Sequence, residues 1–295
     1  MFDYRNATLA GAQEFAREAD LNQLDVSNHF LFQQDAHWPL FERLRKEDPI
    51  HYHAESRYGP YWSITSHEAI KLIDSDHHRF SSASGIGIVD SPGAESSSFI
   101  AMDSPKHDAQ RATVAPVVAP PNLAKMETLI RERVIEILEG LPVGQEFNWV
   151  ERVSIELTTR MLATLFDFPF EDRSKLTYWS DIGVMGPKSG YVSSWQEAMT
   201  ELQGCLKYFQ KLYQERLDPD HDGFDLLSML AGNPETRDMP PGEFLGNIML
   251  LIVGGNDTTR NSITGGVLAL NQFPDQYDKL RSNLDLIPNM VAEII

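Results

Sequence analysis

Pro241-Gly242-Glu243-Phe244-Leu245-Gly246-Asn247-Ile248-Met249-Leu250-Leu251-Ile252-Val253-Gly254-Gly255-Asn256-Asp257-Thr258-Thr259-Arg260-Asn261-Ser262-Ile263-Thr264-Gly265-Gly266-Val267-Leu268-Ala269-Leu270-Asn271 is the stretch that decides the fold. Its apolar spacing predicts one helix of roughly 30 residues, about 45 Å long and enough to cross a domain. The middle, Gly254 to Thr259, is poor helix-forming sequence, since each glycine costs about 1 kcal/mol relative to alanine and Asn, Asp and Thr are indifferent formers. Apolar periodicity nevertheless resumes at Ile263, Val267 and Leu270. A weak polar segment inside a strong helix predicts a kink or a π-type widening there. Leu250, Gly254 and Thr258 fall on one face at steps of four, flanked by Val253 and Asp257. One reading is a notch where another helix comes close. The other is a site with an apolar wall, a gap for something flat, a hydroxyl and a carboxylate.

Outward from that helix the chain reads as mainly α with a small early β element. Trp38–Arg45 is a short helix, residues 49–53 and 61–65 are strands, and His67–Asp74 returns to helical spacing. The first 35 residues are polar and partly helical. Residues 81–98, rich in Ser and Gly, form a long loop. Apolar stripes at Leu123–Leu138, Val153–Leu165 and Leu202–Leu212 mark three further helices. Near the end, Asn289 reads as the N-cap of a last helix.

Composition narrows the function. The 295 residues hold 25 Lys and Arg against 43 Asp and Glu, a net charge of −18, which argues against a general nucleic-acid binder. The longest apolar run, Ile248–Val253, is far below the ~18 residues of a membrane span. Cys205 is the single cysteine, so no internal disulfide and no multi-cysteine zinc site exists, and a reducing cytoplasm fits. Asp218-Pro219-Asp220-His221-Asp222-Gly223 begins like a calcium loop, but Met229 stands where the bidentate glutamate belongs. The neighbours His77 and His78 are expected to point apart and to bind no metal.

Gly-Gly-x-Asp-Thr-Thr in a long helix resembles the central-helix motif of the cytochromes P-450, the haem-thiolate monooxygenases. Met102-Asp103-Ser104-Pro105-Lys106-His107-Asp108-Ala109-Gln110-Arg111 resembles the segment of soluble bacterial members in which a His and an Arg four residues later hold a haem propionate; i, i+4 spacing places both on one helix face. Phe80-Ser81-Ser82 resembles the family's entry to the loop between its second and third main helices. Glu293-Ile294-Ile295 resembles the start of its Glu-x-x-Arg motif. Residues 152–159, 165–170 and 252–262 resemble the soluble bacterial branch that hydroxylates terminal carbons of alkanes and related chains.

The resemblance implies a single P-450 domain across 1–295, truncated at its C-terminal side, with the cysteine ligand beyond Ile295. It implies haem b and O2, with Asp257 and Thr258 serving oxygen activation, His107, Arg111, Gly254 and Gly255 against the haem, and Leu250, Val253, Ile86, Ile88 and Val89 as an apolar substrate wall. It implies no metal ligand in this stretch, since Cys205 lies inside an amphipathic helix. The implied partners are a ferredoxin, its reductase and a hydrophobic small molecule, with no nucleic acid and no membrane span. The competing expectation is a non-catalytic all-α ligand-binding or scaffold protein derived from such an enzyme.

Overall fold

A computed structural model describes residues 2–88, 98–218 and 220–295. The chain divides into two compact units, one of Met1–Ser96 with Ala101–Ser104, the other of Ser97–Ile100 with Pro105–Ile295.

The first unit holds α1 (Leu9–Glu18), α2 (His29–Gln33), α3 (Trp38–Glu47), β1 (Ile50–His53), β2 (Tyr61–Ile64) and α4 (His67–Ser75). Leu24, Leu31, Leu40 and Leu44 are fully buried at its centre. β1 and β2 pair antiparallel, Ile50 opposite Ile64 and His53 opposite Tyr61. Strand alternation turns His51 and His53 inward. His53 shares a hydrogen bond with Ser63 Oγ through Nε2 at 2.9 Å and stacks on Tyr61 at 4.3 Å between centroids. Burial, with His51 alongside, holds its pKa down at about 4. The rings of His77 and His78 do not point apart as expected; they lie 4.1 Å apart on the turn after α4, where helical divergence no longer applies.

The second unit is helical: α5 (Lys106–Val114), α6 (Pro120–Glu139), a π-helical turn (Val150–Ile155), α7 (Glu156–Phe166), α8 (Ser174–Met185), α9 (Trp195–Glu215), α10 (Leu226–Gly232), α11 (Pro234–Arg237), α12 (Pro241–Gln272), α13 (Pro274–Ser282) and α14 (Ile287–Ile294). α12 has 32 residues, so it runs about 48 Å. Pro241 occupies its first turn, where a missing N–H costs nothing, and Phe273 before Pro274 ends it. The α pattern continues unbroken through Gly254–Thr259, against the widening expected there. Hydroxyls of Thr258, Ser262 and Thr264 each donate to the carbonyl four residues back, at 2.9 Å, alongside the ladder rather than in place of it. The π-turn instead falls at Val150–Ile155, which packs on α12. Asn289 is not an N-cap: α14 begins at Ile287 with Pro288 in its first turn, because proline's fixed φ suits that position.

Candidate functional site

α12 carries two different faces. Phe244, Ile248, Ile252 and Asn256 are buried, whereas Gly254 and Thr258 are exposed and Leu250 and Val253 half-buried. A Cβ built on Gly254 meets nothing within 4 Å. Leu250, Gly254 and Thr258 therefore form an open strip with no side chain at its centre and a hydroxyl at one end. Thr258 Oγ1 donates to Gly254 O at 2.9 Å. The adjacent glycine differs: a Cβ on Gly255 would lie 2.8 Å from Leu162 Cδ1 of α7. Gly255 is thus a packing notch, whereas the space beside Gly254 is open.

Asp257, beside the strip, is ion-paired with Arg260, whose guanidinium also holds Asp181 Oδ1 of α8 at 3.1 Å. All three side chains are largely buried, so Arg260 fixes the direction of the Asp257 carboxylate and limits its freedom to swing.

α5 is tied to the start of α12. Lys106 Nζ bonds Glu243 Oε2 at 2.6 Å, and Gln110 donates to the other Glu243 oxygen. Asn247, fully buried on α12, accepts from Phe99 N at 2.7 Å and donates to Gln110 Oε1 at 2.8 Å. On this anchored helix His107 Nδ1 donates to Phe99 O at 2.9 Å, which sets the proton there and leaves Nε2 for another partner. Arg111, one turn on, is exposed and has no ion pair among the described residues.

Of the apolar wall, Leu250 begins the strip on α12 and Val253 flanks it, while Ile86 and Ile88 are exposed in the first unit and Val89 lies outside the described residues. Cys205 is fully buried in α9, and burial pushes its thiol well above the ordinary range, so it is no thiolate at neutral pH. Among the described residues no group of three or more His, Cys, Asp or Glu could hold a metal ion, and no helix is long and apolar enough to cross a membrane. Sequence reasoning missed Asn247, Asn256 and Arg260; the available signal was an Asn or Arg in the buried phase of an otherwise apolar helix.

The chain belongs to the cytochrome P450 family. It is similar to cytochrome P450-153 from Novosphingobium aromaticivorans, 39% identical with a TM-score of 0.80, covering 92% of this chain and 69% of that one. It is equally similar to CYP153D17 from Sphingomonas sp. PAMC 26605, 41% identical with a TM-score of 0.80, covering 94% and 70%. Among curated relatives, linalool 8-monooxygenase from Pseudomonas putida is 29% identical over 285 residues, 92% of this chain and 70% of that protein. No family model matches the chain. It spans about 70% of the length of these relatives.

Proposed function

We propose that these residues are the oxygen-activating side of a haem-dependent monooxygenase that inserts one atom of O2 into an unactivated C–H bond, at the terminal carbon of a medium-chain alkane or related hydrophobic chain. Both units then belong to one P450 domain. The observation that carries the reading is the strip over Gly254, where a flat group meets no side chain and lies beside Thr258.

The residues fit haem on two sides. Gly254 leaves clearance for a planar ring, and Arg111, without an ion pair among the described residues, provides donors for a propionate, with His107 one turn before it. They do not supply a thiolate ligand, since Cys205 is buried and burial raises its thiol pKa. When bound, haem supplies the binding and reductive cleavage of O2.

The chain's own residues do the rest. Thr258 Oγ1 rotates from Gly254 O to donate into the space over the strip. Asp257 passes protons toward that hydroxyl through water, as a positioned acid. Arg260 sets when it does so, because the carboxylate must loosen its ion pair to reach the strip. Leu250 and Val253 keep the adjoining space apolar and admit a hydrocarbon chain. A cytoplasmic ferredoxin and its reductase deliver the electrons.

The test uses protein expressed from its full open reading frame. We expect a thiolate-type band in the reduced carbon monoxide spectrum and terminal alcohols from medium-chain alkanes in a reconstituted assay. A haem-free product of that reading frame would overturn the reading in favour of a non-catalytic ligand-binding protein.

A further inference from the structure

α12 is gripped along the face opposite its open strip by a polar stripe at steps of four. Asn256, Arg260 and Thr264 point the other way from Gly254 and Thr258, since two residues along a helix turn the direction by about 200°. Asn256 is fully buried, and its Oδ1 accepts from Thr158 Oγ1 of α7 at 2.8 Å. Its Nδ2 reaches Thr177 Oγ1 of α8 at 3.5 Å, and Thr177 in turn shares a 2.8 Å hydrogen bond with Thr159. Two turns on, Thr264 Oγ1 meets Ser154 Oγ at 2.9 Å, at the end of the π-turn. Arg260 is held by Asp181 between them.

An apolar side chain at 256 would fill the same core without any hydrogen-bonding requirement. Leu162 and Ile252 already do so nearby. Apolar packing tolerates a small rotation or slide of one helix past another, whereas a buried amide with directional partners on two helices does not. A buried Asn serves in the same way to fix register in coiled coils.

We propose that Asn256 is a positioning residue that sets the axial rotation of α12, and thereby the direction in which Thr258 presents its hydroxyl on the opposite face. The inference rests on the reading of Thr258 as the oxygen-side alcohol, but its test reads a resonance and not activity. Failure of the functional reading would appear in the carbon monoxide spectrum, and failure of this inference in the experiment below.

The experiment is methyl-labelled threonine NMR of protein expressed from its full open reading frame. We expect the parent to show one sharp Thr258 methyl resonance. Thr158→Val combined with Asn256→Leu replaces both partners by apolar groups of similar shape, which restores packing without restoring direction. We expect a thermal midpoint within about 3 °C of the parent and a Thr258 methyl signal that is doubled or broadened at least twofold. Thr158→Val alone leaves Asn256 Oδ1 without that donor and costs more stability than the pair, while the Thr258 signal changes in the same sense at smaller amplitude. An unchanged Thr258 signal in the paired variant would overturn the proposal. So would a paired variant whose midpoint falls by more than about 10 °C, because Asn256 would then be a stability element.

Discussion

Gly254 and Gly255 are neighbours in one helix, yet alanine at each is expected to act with opposite sign. Both substitutions remove a glycine from a helix interior, worth about 1 kcal/mol in the folded state's favour. At 254 nothing opposes that gain, because the added Cβ meets no atom within 4 Å. At 255 the Cβ would lie 2.8 Å from Leu162 Cδ1, and Leu162 is only 1% exposed. Leu162 cannot swing into solvent, so the core must shift, at a cost of about 1–3 kcal/mol. Gly254→Ala therefore gains up to about 1 kcal/mol and Gly255→Ala loses about 1 kcal/mol, a separation of about 2 kcal/mol. For a unit of this size that is a difference of about 4–8 °C in thermal midpoint. Urea and thermal unfolding, followed by circular dichroism, measure it. If Gly255→Ala is as stable as Gly254→Ala, the two-faced description of α12 is wrong.

Two further expectations concern stability. His53 is buried and refuses a proton until about pH 4, while the unfolded chain takes one near 6.5, so the unfolded state binds more protons between these values. Its contribution is fully present above pH 6.5 and is lost as pH falls to 4, up to about 3 kcal/mol; His53→Phe should flatten that limb of a stability–pH curve, and an unchanged slope would count against it. Arg216, with 4% of its side chain exposed, pairs with the equally buried Asp225 and bonds Leu212 O and Asp167 O. Arg216→Met strands the Asp225 charge and should cost about 3–5 kcal/mol in urea unfolding; a loss below 1 kcal/mol would show the pair to be dispensable.

Much of this molecule is legible in its sequence, and the gaps have physical causes. The span of α12 follows from apolar periodicity bounded by Pro241 and Pro274. The hairpin follows from its alternation, and the burial of Cys205 from its place in an amphipathic stripe. In the interior of α12, propensity alone suggests a break at Gly254–Thr259 that the helix does not have. Tertiary packing on α7, α8 and the π-turn outweighs it, as do three threonine and serine hydroxyls that bond backward without opening the ladder. The π-turn itself sits in Val150–Ile155, where the side-chain pattern looks like an ordinary helix start. Periodicity shows which face of α12 is buried, but not that Asn247, Asn256 and Arg260 on or beside it are satisfied by partners 79 to 148 residues away. The open strip is equally hidden, since a glycine beside an empty space and one beside Leu162 look identical in sequence.

The most direct test of the central claim is the amount of product formed per electron consumed by Thr258→Ala in protein from the full open reading frame, reconstituted with ferredoxin and reductase. Thr258 is exposed on the strip and, among the described residues, its side chain bonds only Gly254 O, so the variant should fold and load haem as the parent does. We expect electron consumption to continue while product per electron falls at least tenfold. Product per electron unchanged from the parent would contradict the role of Thr258, and with it the reading of this face of α12 as the oxygen-activating wall.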